Sequence, residues 1–119
     1  MKTIKEIEFV NYDGEKKSYE MFVDARSLMT FEKIYRLETG NKKATFINSL
    51  ESLADGDITL IMCLIGSTVR KEGKKQPVGL DYAMENIPPL ENLETFSLAL
   101  QQCLEDLKVE KDKTIWVSK

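Results

Sequence analysis

The sequence predicts an α+β fold, mostly helical, with an N-terminal β-hairpin followed by four to five α-helices. Three observations carry this. Near the N-terminus, two short segments alternate apolar and polar residues around a stretch of turn chemistry. Every later apolar segment repeats at helical spacing instead. The chain has 119 residues, of which 42% are apolar and 31% charged, enough for one core of ordinary size. No internal repeat, low-complexity tract or long linker divides it. Residues 1–107 are therefore read as one domain and residues 108–119 as a loose tail.

The hairpin comes first. Thr3, Lys5, Ile7 and Phe9 share one face of an extended segment, and Tyr19, Met21 and Val23 alternate in a second. Between them, Asn11-Tyr12-Asp13-Gly14-Glu15 is turn-forming, because Asp-Gly accepts positive φ. A lone hairpin is barely stable in water, so it must lie on helices or join a sheet with another copy. A first helix spans about Ala25 to Thr39, with a stripe of Leu28, Phe31, Ile34 and Tyr35, and Gly40 ends it. A second runs from about Ala44 to Leu53 and stops at Asp55-Gly56. Asp57 is placed to cap a third, Ile58 to Arg70, whose carboxylate accepts the free N–H groups of the first turn. That helix is apolar nearly all round, which predicts the central core helix, with Gly66 permitting a close crossing. Lys71–Pro77 reads as a basic, flexible loop. A short fourth helix, Leu80 to Asn86, is broken by Ile87-Pro88-Pro89. The fifth runs from Leu90 or Glu91 to Leu107 with a narrow apolar seam.

Composition excludes several function classes. There is no histidine, so any Ser-His or Cys-His nucleophile is ruled out, along with the commonest general base and transition-metal ligand. The two cysteines, Cys63 and Cys103, lie in apolar helical patterns without a CxxC spacing, and read as buried thiols. The longest strongly apolar run without a charge, Ile58–Val69, has 12 residues where a membrane helix needs about 20. The N-terminal residues lack an apolar signal core, so an intracellular protein and no membrane partner are expected. A nucleic-acid binder needs a dominant basic stripe; only Arg70, Lys71, Lys74 and Lys75 gather, around Gly73, and no nucleic-acid partner is expected. Residues 76–107 carry six acidic groups and no basic one, a charge that repels phosphate and attracts a basic protein surface.

Candidate chemistry is sparse. Asp55 with Asp57, and Glu105 with Asp106, are the tightest acidic pairs and are of a type that holds Mg²⁺ or works as acid and base. A helix cap for the first and solvated helix surface for the second are the preferred readings, and no cofactor or metal is expected. No glycine-rich phosphate loop is present. Cys63, between Met62 and Leu64, lacks an activating neighbour and reads as core filler. Trp116, set in Ile115-Trp116-Val117, either anchors an interface or folds back on the domain.

The order of elements is itself informative. A charged hairpin leads into Phe31-Glu32-Lys33-Ile34-Tyr35-Arg36-Leu37-Glu38-Thr39-Gly40. A short helix follows, then an apolar helix Asp57–Val69 with an acidic cap, a Lys/Gly loop, the short helix Leu80-Asp81-Tyr82-Ala83-Met84-Glu85-Asn86 and a final acidic amphipathic helix. Over about residues 3–107 this resembles the tail assembly chaperones of long-tailed, siphovirus-type bacteriophages and prophages of Gram-positive bacteria. In that family a hairpin precedes a helix of the pattern Phe-x-x-(Ile/Leu)-x-(Arg/Lys)-(Leu)-Glu-(Thr)-Gly. The resemblance implies a protein that is not an enzyme. It implies binding of the tape-measure protein, keeping that protein soluble, and help in recruiting the tail-tube protein. It places the protein in the host cytoplasm and not in the mature virion. Members of the family often have a longer form made by ribosomal frameshifting.

Two other classes compete: a small adaptor or regulatory protein of another mobile-element system, and a carboxylate-metal enzyme such as a small nuclease. The missing histidine and the scattered acids weigh against the enzyme. A chaperone for a long client with an apolar stripe needs apolar grooves beside dispersing charge. The expected partner-binding residues are therefore Leu93, Phe96, Leu100 and Leu104 of the fifth-helix seam, Glu91, Glu94 and Asp106 at its rim, and Trp116. A seam of this kind is more often internal core, in which case the client must use the hairpin or the tail. A homo-oligomer is also expected, because a hairpin leaves open strand edges.

Overall fold

The computed structural model describes residues 4–118, with the side chains of Ala54 and of residues 107–118 outside that description. It is an α+β protein, mostly helical, with the hairpin at its start. Strand β1 spans Lys5–Val10 and β2 spans Lys16–Met21. They pair antiparallel, with Ile7 opposite Tyr19 and Phe9 opposite Lys17. Ile7, Phe9, Tyr19 and Met21 all point into the core, as period-two patterning requires.

The hairpin gains a third strand that the sequence reading places in a helix and a loop. Strand β3, Val69–Lys71, pairs antiparallel with β2, so the sheet order is β1-β2-β3. Helix α3 (Ile58–Thr68) ends two residues earlier than expected. The hydroxyls of Ser67 and Thr68 both donate back to the Leu64 carbonyl, at 3.1 and 2.7 Å, in competition with the backbone ladder. Val69 then turns to extended geometry, and its carbonyl accepts from Val78 N–H at 2.9 Å.

Helix α1 spans Ala25–Thr39, with Asp24 and Ser27 forming a capping box and Gly40 closing it at φ 74°. Its buried face is Ser27, Phe31 and Tyr35; Leu28, expected in the stripe, lies at the surface. Helix α2 is only Phe46–Leu50, capped by Thr45, before the chain tightens into a 3₁₀ turn over Glu51–Asp55. Helix α3 is the central helix expected from its composition: every residue from Leu60 to Thr68 is buried. Gly66 does face a close crossing, against the residues that open α4 (Leu80–Asn86). Asp57 caps α3, its carboxylate accepting from Leu60 N–H at 3.3 Å. Asp57→Ala should therefore cost about 1 kcal/mol in urea unfolding, and an unchanged midpoint would deny the cap any role.

Helix α5 spans Pro89–Ser118. The sequence reading ends this helix near Leu107 and leaves the rest as a loose tail; the helical backbone instead continues to Ser118. It packs on β1 and α3 through Phe96, Leu100 and Cys103.

One buried ion pair ties the layers together. Arg70 is fully buried, its Nη2 2.8 Å from Asp24 Oδ1. It also donates to the carbonyls of Phe22, Thr68 and Lys75, and its guanidinium stacks 3.8 Å from the centre of the Phe22 ring. The basic grouping read from the sequence thus loses a member: Arg70 is a structural residue, not part of an exposed patch.

Candidate functional site

An open, largely apolar groove lies where α5 passes the α2 segment. Leu50 closes α2 and Leu53 follows one 3₁₀ turn later, so the two stack on one side. On α5, Ser97, Leu100, Gln101 and Leu104 recur at three- and four-residue spacing and face them. Together with Glu105 they line a cavity of about 430 Å³. Leu100, 1% exposed, forms its floor, while Leu50, Leu53 and Leu104 are half-buried walls and Glu105 is an exposed rim charge.

The residues expected to hold a partner do not converge on one surface. Phe96 is completely buried among core residues and presents nothing to a client. Leu93 is half-buried against the same core. Leu100 and Leu104 reach the groove, but as floor and wall. Glu91 and Glu94 are exposed, and Glu91 lines a different groove, beside β1. Asp106 is half-buried, 3.8 Å from Lys5 Nζ. The seam is thus largely internal, because α5 spends its apolar face on β1 and α3. Trp116 lies outside the described side chains. Sequence reasoning missed Leu50 and Leu53 as groove residues: their spacing marks an apolar face, but not that α5 leaves part of it uncovered.

The remaining candidate groups divide by environment. Burial pushes the Cys63 thiol up to about 12, helped by the charges of Glu38 and Asp57, and burial likewise raises Cys103. Both thiols are free and buried, an environment that disfavours the thiolate. Asp55 is exposed beside the capping Asp57. Among the described residues, no group of three or more Cys, Asp or Glu is placed to hold a metal ion.

Tyr82, which no sequence signal marked, sits in a basic corner. Lys17 donates to its hydroxyl at 3.1 Å, the Tyr19 hydroxyl lies 3.0 Å away, and Lys71 Nζ stands 4.6 Å from the ring centre. Burial alone raises the Tyr82 phenol, but the hydrogen bonds from Tyr19 and Lys17 and the charges of Lys17 and Lys71 bring it below its ordinary value. Tyr19 shifts the other way, through burial and its bond to Tyr82. Lys17 and Lys71 thus place two positive charges beside the Tyr82 ring and hydroxyl.

No protein family, curated protein or solved structure matches this chain. No described helix is long and apolar enough to cross a membrane.

Proposed function

We propose that this protein is a tail assembly chaperone of a long-tailed bacteriophage or prophage. In this reading it binds the tape-measure protein, keeps it soluble and helps recruit tail-tube subunits. It acts as a homo-oligomer in the host cytoplasm, without enzymatic activity, and is left out of the virion. The observation that carries the reading is the order of elements over residues 3–107, with the segment Phe31–Gly40 in the helix that follows the hairpin. The groove between α2 and α5 supports it: Leu50, Leu53, Leu100 and Leu104 offer an apolar trough for one stripe of a client helix, and Glu105 adds charge at the rim. Apolar contact would supply most of the affinity, and rim charge would set on-rate and choice of partner.

The test is co-expression with the tape-measure protein of the same genome. Wild-type protein should carry that client into the soluble fraction and co-purify with it. Leu53→Glu with Leu104→Glu, checked for native circular dichroism, should lose capture. Glu91→Lys with Glu94→Lys, which lie away from the groove, should retain it. A client that stays insoluble with the wild-type protein rejects the chaperone reading. Capture that survives the folded leucine double variant rejects the groove.

A further inference from the structure

We infer that the outer edge of β1 takes an extended segment of a partner protein as a fourth strand, one in which lysine or arginine alternates with apolar residues. The inference stands apart from the chaperone reading, since it rests on strand geometry and charge alone.

The backbone phase decides which groups face outward. Asn11 N–H donates to the Glu15 carbonyl at 2.8 Å and closes the hairpin. Hydrogen-bonded and non-bonded pairs alternate along an antiparallel ladder. Phe9, Ile7 and Lys5 therefore bond inward to β2, and the N–H and C=O groups of Val10, Glu8 and Glu6 point away from it. At Val10 this is visible directly: the Asn92 amide accepts from its N–H and donates to its C=O, both at 2.9 Å. That side chain makes the pair of bonds a further strand would make. Among the described residues, no hydrogen bond reaches the outward groups of Glu8 and Glu6.

Beside this edge lies space for a chain. Thr95, Leu98, Ala99 and Gln102 of α5 face β1 across a groove of about 550 Å³. Asn92 on Val10 closes one end, and the Lys5–Asp106 pair closes the other. Leu98 is 57% exposed, an apolar side chain with nothing on it. A strand laid here would alternate its side chains between the α5 wall and the outer sheet face.

Charge selects the occupant. Ile7 and Phe9 point to the core, so Glu6 and Glu8 stand on the outer face, where Glu6 is directly opposite Glu20 and Glu72 lies alongside. A second copy pairing β1 on β1 would set the carboxylates of Glu6 and Glu8 against their own equivalents, which is unfavourable across a ladder. A basic residue at alternate positions relieves this repulsion, and the apolar residues between fall on Leu98 and Ala99. Main-chain bonds then give affinity and the alternating side chains give choice.

The probe is a blocked hexapeptide alternating lysine and valine, titrated into the full chain with amide signals followed by NMR. Binding should shift the Glu6 and Glu8 amides and slow their hydrogen exchange. Glu8→Pro removes an outward N–H that β2 does not use, at an edge where proline is tolerated, and should abolish the shifts. Glu6→Lys with Glu8→Lys should weaken the lysine peptide about tenfold, the scale of two reversed cross-strand pairs. The same variant should now accept a hexapeptide alternating glutamate and valine. If Glu8→Pro does not fold, the charge reversal decides alone. Absence of binding, or equal affinity in the charge-reversed protein, overturns the inference. So does concentration-dependent protection of Glu6 and Glu8 without peptide, which would assign the edge to a second copy.

Discussion

Arg70→Ala should be the most damaging single substitution, lowering stability by about 3–5 kcal/mol, the usual cost of removing one partner of a buried pair. The side chain is 0% exposed and meets four residues from three stretches of chain: Phe22 and Asp24 between β2 and α1, Thr68 at the end of α3, and Lys75 in the following loop. Its removal opens a cavity over the Phe22 ring and breaks the 2.8 Å ion pair with Asp24. A domain of this size holds only about 5–15 kcal/mol in total, so a fall in Tm on the order of 15 °C is expected. Arg70→Lys should recover only part of the loss, because an ammonium cannot reproduce the planar fork that reaches Asp24 and the carbonyls together. Urea unfolding of both variants is the check. An Arg70→Ala protein within about 1 kcal/mol of wild type would show that the network does not hold the layers.

Gly66→Ala should come next, with a loss of about 2–3 kcal/mol. A methyl group there would lie 2.7 Å from the Gly79 carbonyl carbon, 2.8 Å from its oxygen and 2.9 Å from Leu80 N. These are backbone atoms and cannot rotate away, so α3 and the start of α4 must separate. The Gly79 N–H bond to the Gly66 carbonyl, 2.8 Å long, would be strained with them. The sign is diagnostic. In a helix with free space, alanine for glycine gains up to about 1 kcal/mol. A stabilised Gly66→Ala variant would therefore refute the close crossing outright.

Much of the architecture is local and was legible. Helix α1 runs from Ala25 to Thr39 as its apolar spacing and Gly40 indicate, because helical periodicity and positive φ act within a turn or two. Helix α4, the Asp57 cap and the buried character of α3 follow in the same way from nearby residues. The partner seam was not legible. Helical spacing shows that Leu93, Phe96, Leu100 and Leu104 share a face, but not what that face meets. Strand β1 and helix α3 took most of it, and the remaining opening is completed by Leu50 and Leu53, more than 40 residues before Leu100 and Leu104.

The sequence by itself determined the class of fold, the order of its elements and the identity of its central helix. These depend on periodicity, capping and chain breakers, which act over a few residues. Only the tertiary structure decided that Val69–Lys71 is a strand, that Arg70 is buried, and that Asn92 completes the edge of β1 at Val10. Each of these needs a partner far along the chain: β2 for the strand, Asp24 for the arginine, the first hairpin strand for the asparagine. Three residues of strand carry no periodic signal. An arginine beside lysines looks exposed until a distant carboxylate and a ring enclose it, and a side-chain amide shows its use only when a backbone edge is brought within 3 Å.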